Sequence, residues 1–565
     1  MTLKYDETAA LKEDQTVKHP LPLLLSTLLL GPMACQDSKG SAGPGDEVLP
    51  DPAVTEDGES ADGLPTPLGG QRDNGVLMQY FHWYLPNDGQ HWQRLESEAK
   101  SLAQAGFTAL WLPPASKSSG GSDSVGYGTY DLYDLGEFNQ KGSLRTKYGT
   151  KDQLLTGIQA AQNAGLAIYA DIVMNHRLGA DSTETVMAIP VNPNQRLEDI
   201  GSARSIQAWT RFEFPGRQGR YSSFVWSSQH FNGVDWDQNV REQGRIYRFQ
   251  DKRWDSGVSK ERGNYDYLLG SDLDMENPEV VAELKNWGIW YRDIAQLDGF
   301  RLDAVKHIHS PFVKEWLQAV RAGSTKELFS VAEYWDGDVK NLLSYLKEQN
   351  DATSQLSLFD VALHYRLHEA SRALGTFDMT TLLNDTLMQK RPSRAVTFVD
   401  NHDTQPLQAL ESPVEDWFKP LAYALIMLRK EAYPAVFYAD YYGASYTGQR
   451  RDGTNESITF PRLKDWIDLL LRARQQYAYG EQRSYFNHPD LIGWTRRGTE
   501  QHPNGLAVIL SDRFEGSKKM QVGPEHAGKC FTDFTGQQSG CVTIDTQGDG
   551  IFPVGAAQAS IWVGP

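Results

Sequence analysis

The sequence predicts an α/β fold: a closed (β/α)8 barrel of the TIM type, with a small β-rich domain inserted after its third strand and a C-terminal antiparallel β-sandwich. Three observations carry that reading. Short apolar runs rich in β-forming residues fall at 76–81, 109–112, 167–172, 299–303, 329–333, 357–360, 395–400 and 435–439, with helical patterns between several of them. The gap from Ile172 to Gly299 holds far more chain than one helix needs. Beyond about Gly480 the runs continue without helical pattern between them, at 505–510, 519–522, 541–544 and 559–563.

The helices carry their own start and stop signals. Trp92, Leu95, Ala99 and Leu102 share one face, and Gly106 follows as a stop. Thr150 can cap a helix bearing Leu154, Leu155, Ile158 and Ala161, closed by Gly165. Asn277-Pro278 reads as a cap with proline at the first helical position, opening a helix with Val281, Leu284 and Ile294. The middle of the long gap is rich in Asp, Asn, Gly and aromatics with little helical period. The chain therefore divides into a signal-peptide-like segment (1–34), a flexible linker (35–73), the barrel (74–174 and 279–478), the insertion (175–278) and the sandwich (479–565).

Composition narrows the function classes. The 565 residues suffice for two or three domains, and 40% hydrophobic with 23% charged residues is globular. A net charge of −18 disfavours nucleic acid and anionic membranes as partners, while suiting a neutral polymer or a hard cation. No protein partner is inferred. Lys18 and His19 precede an apolar run at 20–33 that is too short to span a bilayer and has the size of a signal-peptide core. Cys35 stands where a lipoprotein signal places its lipidated cysteine, and the Gly-, Ser- and Pro-rich stretch after it reads as a solvated tether. Export is expected, to the medium or as a lipid-anchored envelope protein; a buried helix is the alternative. Cys530 and Cys541 pair in an oxidising compartment, worth about 2–3 kcal/mol, or remain two buried thiols; the spacing is compatible with both.

Carboxylates stand where barrel enzymes keep their chemistry, at the C-terminal ends of strands. Strand three closes on Asp171, followed by Asn175-His176. Strand four ends at Asp303, strand five at Glu333, and strand seven at Asp400-Asn401-His402-Asp403. Any one of these is more often a surface or ion-pair residue; four strands ending in polar clusters point to an active site. A His/Asp/Glu collection can also mean catalytic zinc, but no HExxH-type spacing occurs and the carboxylates lie on separate strands.

Four segments in order, Asp171-Ile172-Val173-Met174-Asn175-His176, Gly299-Phe300-Arg301-Leu302-Asp303-Ala304-Val305-Lys306-His307, Val331-Ala332-Glu333-Tyr334-Trp335 and Phe398-Val399-Asp400-Asn401-His402-Asp403, resemble the signatures of the α-amylase family. Met78-Gln79-Tyr80-Phe81 and Tyr127-Gly128-Thr129-Tyr130-Asp131 resemble its liquefying bacterial members. The likeness runs from about Gly75 to the end. It implies retaining, endo-acting hydrolysis of α-1,4-linked glucans of the starch and glycogen type. Asp303 would be the nucleophile, Glu333 the acid and base, and Asp403 the third carboxylate, distorting the sugar and supporting the oxocarbenium ion. Such a nucleophile and acid sit roughly 5–5.5 Å apart. Arg301, two residues along the strand, faces the same side as Asp303 and can hold it ionised. His176 and His402 would donate to sugar hydroxyls, Tyr127 would stack on the sugar, and Lys306 and His307 would line the leaving-group side.

The insertion carries a second cluster: Asp255, Asp266, Asp272, Asp274 and Glu276, with Gly263 and Gly270. A solvated acidic loop is the plain reading; oxygen ligands suit calcium. The resemblance implies one Ca2+ held by Asn175, Asp266, Asp272 and the carbonyl of His307, with Asp255 and Asp274 beside a further site. His82 stands where the liquefying members have an acidic residue, a departure with no physical account; Asn232 stands where they have an aspartate bridging further metal ions, which puts that further site in doubt. Two other classes were weighed. A glucan-transferring enzyme would show extra acceptor-side aromatics and further C-terminal domains. A non-catalytic carbohydrate-binding protein would have lost the carboxylates, and Asp303, Glu333 and Asp403 are all present.

Overall fold

The computed structural model describes residues 74–349, 355–450 and 452–565. The signal-like run, Cys35 and the linker lie outside the described residues. Eight parallel strands close a barrel: β1 (Leu77–Gln79), β2 (Ala109–Leu112), β3 (Ala167–Ile172), β4 (Gly299–Leu302), β5 (Phe329–Ala332), β6 (Ser357–Phe359), β7 (Ala395–Phe398) and β8 (Tyr433–Phe437). Each pairs with its sequence neighbours, and β1 pairs with β8. The eighth strand lies two residues earlier than the sequence suggested, because Tyr438–Tyr442 turns into a short helix at its end.

Residues of the strands alternate between barrel interior and helix layer. On β4, Phe300 faces outward and packs edge-on against Trp316, while Arg301 points into the barrel mouth. The surrounding helices start as their sequences promise. Thr150 and Gln153 form a reciprocal capping box on Lys151–Asn163, and Asn277 caps Pro278–Ala295 by accepting from the Glu279 amide. Gly106 ends His91–Ala105 at φ 121°, a conformation that favours glycine.

Between β3 and β4 the long gap forms an antiparallel sheet of seven strands, from His176–Arg177 through Ser271–Leu273, Phe231–Val234, Ile246–Phe249 and Ser182–Asn192 to Gln195–Asp199, with Arg204–Arg211 also on Ser182–Asn192. Its first strand begins at His176, so the sheet grows directly out of the barrel mouth. After β8 a hairpin, Ala444–Gln449 with Asn455–Phe460, forms where no strand was expected, although Asp452-Gly453 is a turn signal. The C-terminal β domain is a six-stranded antiparallel sheet facing a two-stranded one, Gly516–Gln521 with Asp549–Val554. Four of its strands, among them Leu491–Arg496, went unmarked in the sequence; Gly493 interrupts that run and sits against the Met520 sulfur. Cys530 and Cys541 are joined by a disulfide.

Helices Pro278–Ala295 and Ser310–Arg321 meet at Gly288, where a Cβ would lie 2.6 Å from the Trp316 ring. Replacing Gly288 by Ala gains about 1 kcal/mol of helix propensity, but overpacking against a fully buried indole costs about 1–3 kcal/mol. Thermal unfolding should therefore show Gly288→Ala melting below the parent.

Candidate active site

The barrel register assembles the site. Arg301 lies opposite Asp171 across β4 and β3, and the amides of Asp303 and Glu333 donate to Ile172 and Leu302 on the neighbouring strands. Arg301 donates through one nitrogen to Asp171 Oδ1 at 2.8 Å and Asp303 Oδ1 at 2.6 Å, and through the other to Glu333. The Asp303 and Glu333 carboxyls thus share one donor group. Immediately after Asp303 the chain turns at Ala304, whose φ of 47° is unusual for a residue with a Cβ. That turn brings the Ala304 amide toward Glu333 Oε2, at 3.4 Å.

Burial dominates the electrostatics. It raises the Asp303 carboxyl to about 6 against the pull of Arg301, with the Asp171 charge adding to the rise. Glu333 is raised by burial and by the Asp303 charge, again against Arg301. Asp403 is pushed well above the carboxylate range by burial and by Glu333. The expectation that Arg301 holds Asp303 ionised is thus met only in sign: the guanidinium lowers the carboxyl, and desolvation outweighs it.

An aromatic wall faces the carboxylates. Tyr127 lies parallel to the His402 ring at 5.0 Å and to Trp83 at 5.8 Å, and its hydroxyl donates to Asp171 Oδ2 at 2.8 Å. His402 Nε2 is 3.4 Å from Asp403 Oδ2. Burial lowers His176 to about 4, so the ring is neutral. Its Nε2 is 3.0 Å from the Tyr127 carbonyl, an acceptor, which leaves Nδ1 without a proton. In this geometry His176 offers an acceptor, not the donor expected from the sequence. Lys306 donates to the Trp335 carbonyl at 3.1 Å and pairs with Glu261 of the insertion at 2.5 Å. His307 Nδ1 contacts the Tyr265 carbonyl at 2.7 Å, with its ring edge-on to Tyr265. Both residues therefore join the barrel to the insertion at the mouth.

Comparison with known proteins agrees with this arrangement. Residues 91–457 match the family described as Alpha amylase, catalytic domain, and 506–563 match Alpha-amylase C-terminal. The chain belongs to the alpha-amylase family. It is 54% identical over 493 residues to an alpha-amylase of Geobacillus stearothermophilus, covering 87% of each chain. It is 52% identical to a glucan 1,4-alpha-maltohexaosidase of Bacillus sp. (strain 707), covering 87% of this chain and 92% of that one. A crystal structure of an Anoxybacillus alpha-amylase shares the fold, with a TM-score of 0.57 at 18% identity over 87% of this chain and 99% of that one.

In this family member the insertion buries a second set of carboxylates. Asp255, Asp266, Asp272 and Asn175 are each at most 2% exposed. Asn232 donates to Asp255 Oδ1 at 2.9 Å and Asp266 Oδ2 at 3.1 Å, and Asn175 approaches Asp272 Oδ1 at 3.5 Å. Asp272 Oδ2 is buried with no partner. Among the described residues, however, no three His, Cys, Asp or Glu side chains converge on a preformed metal site. Asp274 lies near Asp255, whose carboxyl its charge helps burial to raise, and pairs with Lys252 Nζ at 2.6 Å.

Sequence reasoning assigned no role to Asp171 or Gln79, although both stood inside recognised motifs; only the fold shows Asp171 receiving Arg301, Trp111 and Tyr127. It also passed over Asp512, beside the C-terminal sheet. Asp512 is 2% exposed, neither carboxylate oxygen has a partner, and burial with the nearby Asp490 charge raises it to about 6. No motif marks that pair.

Burial raises Asp255 to about 7, and raises Asp266 and Asp272 well above the usual range. Acids with a raised folded-state pKa make the folded form bind more protons than the unfolded one. Their effect is neutral below the unfolded pKa and destabilises progressively as pH rises toward the folded value. In chelator, Asp272→Asn should therefore melt several degrees above the parent at pH 8 and not above it at pH 4.

Proposed function

We propose that this enzyme hydrolyses internal α-1,4-glucosidic bonds of starch- and glycogen-type polysaccharides by a retaining double displacement. The observation that carries the reading is that the Asp303 and Glu333 carboxyls both accept from the one guanidinium of Arg301. Groups that close leave no space for the water that an inverting enzyme keeps between base and sugar. In the first step an Asp303 oxygen attacks the anomeric carbon. The bond to the departing glucan breaks, and Glu333 gives its proton to the leaving oxygen. In the second step ionised Glu333 takes a proton from water, whose oxygen displaces Asp303 from the ester. Both carboxyls end as they began, and the product keeps the α configuration.

The remaining residues hold the sugar for these steps. Tyr127 offers the stacking face, His402 an N–H and His176 a ring acceptor for hydroxyls, and Asp403 a carboxyl that supports charge developing at the anomeric carbon when ionised. Lys306 and His307 form the leaving-group wall. Calcium belongs to the same proposal: Asn175, Asp266, Asp272 and the carbonyl of His307 would hold it, with Asp255 alongside. The support is chemical, since the donors are oxygens and Asp272 has a buried oxygen in want of a partner. Such an ion would neutralise the cluster and fasten the insertion to the barrel mouth. Export, and a lipid anchor at Cys35, remain readings of the sequence alone.

Asp303→Asn keeps shape and removes the nucleophile, so turnover of soluble starch should fall about 10⁴-fold or more, with the melting curve retained. Proton NMR of the parent reaction should show α-anomeric product first; β-anomer appearing first would exclude retention. Activity requires Asp303 ionised, so kcat/KM should decline as pH drops through about 6, and again at higher pH as Glu333 loses its proton.

A further inference from the structure

We infer that Gln79 is a positioning residue: its amide donates to His402 Nδ1 and thereby fixes His402 as the tautomer carrying its proton on Nε2, directed beside Asp403. Gln79 is the last residue of β1, 2% exposed, with its side-chain nitrogen 2.9 Å from His402 Nδ1. The other ring nitrogen faces the Asp403 carboxylate at 3.4 Å. The two contacts constrain one proton from opposite sides. If the amide carbonyl faced the ring instead, Nδ1 would carry the proton and the Nε2 lone pair would face Asp403, which could satisfy it only while keeping a proton of its own.

The ring is held against rotation as well. Tyr127 and Trp83 lie within 10° and 11° of its plane at 5.0 and 6.2 Å, and Trp111 meets it edge-on at 5.6 Å. Burial and the Arg301 charge keep it neutral, so it has a single proton to place. Gln79 is set by the barrel: it pairs with Phe437 on β8 and Trp111 on β2. The strand that opens the barrel thus determines which end of a histidine on the seventh strand's loop can donate to a sugar hydroxyl. The catalytic consequence rests on the role given to His402 above; the tautomer does not.

Two-bond proton–nitrogen NMR on the full chain with ¹⁵N-labelled histidine reads the tautomer without turnover, His402 being assigned from its absence in His402→Ala. The parent should show the Nε2–H form from pH 5 to 8. Gln79→Glu, which presents only an acceptor, should move the proton to Nδ1. Gln79→Met, which keeps length without charge, should leave mixed tautomers and guards against a Glu variant that fails to fold. Both should lower kcat on a maltooligosaccharide about 10- to 100-fold, the scale of hydrogen bonds that fix a metal-bound histidine's tautomer, with little change in KM. In a His402→Ala background Gln79→Met should cost nothing further. A parent ring protonated on Nδ1, a tautomer unmoved by either variant, or losses that add in the double variant would overturn the inference. A shifted tautomer with unchanged kcat would uphold the positioning and overturn the donor role of His402.

Discussion

Arg301 sits 1% exposed among Asp171, Asp303 and Glu333, over the face of Trp111 at 4.9 Å. One positive charge cannot satisfy three buried negative ones, and Asp403 adds a fourth carboxyl nearby. The consequence is that the group keeps a proton at a pH where isolated carboxylates would have lost it. An acid is therefore available for a leaving oxygen, and the guanidinium decides which carboxyl is left charged. Lysine would not be equivalent there, because the guanidinium presents its donors in a fixed planar fork and keeps its charge when buried. Removing either side of so buried an ionic group would strand the other, which is why the arrangement is as much a structural constraint as a chemical one.

The barrel supplies the geometry through register. Parallel pairing sets Arg301 level with Asp171, and Leu302 level with Ala332 next to Glu333. Side-chain alternation then puts Arg301 and Asp303 on the same face while Phe300 anchors the strand to its helices. The insertion completes the mouth from the other side. Glu261 reaches Lys306, the Tyr265 carbonyl meets His307, and the buried aspartates lie just behind that seam. The state of those aspartates thus bears on the shape of the leaving-group wall.

Much of this was legible before the fold was known. Eight strands could be found because β-rich apolar runs alternated with helical patterns, and Asp303, Glu333 and Asp403 stood in segments whose order resembles one family. The sequence was less informative wherever a residue's behaviour depends on a partner from another element. Nothing local shows that the His176 proton meets the Tyr127 carbonyl, that Asp274 meets Lys252, or that Arg301 is shared among three carboxylates when two residues of spacing suggest a private pair. Asp512 was hidden for a further reason: it stands just past the end of Leu506–Ser511, an interior strand of a sheet half of whose strands are too short or too glycine-interrupted to announce themselves. The hairpin after β8 escaped because its buried face carries few large apolar side chains, Tyr446, Ile458 and Phe460, among small and polar ones.

The central claim is that Asp303 forms a covalent bond to the sugar. A slow-turnover fluorinated glucosyl substrate, incubated with a Glu333→Gln variant and followed by peptide mass spectrometry, tests it directly. The account requires one added glucosyl unit on the peptide containing residues 299–307, localised by fragmentation to Asp303. A glucosyl ester found on Asp403 or Asp171, or product released with no adduct under conditions that consume the substrate, would contradict it.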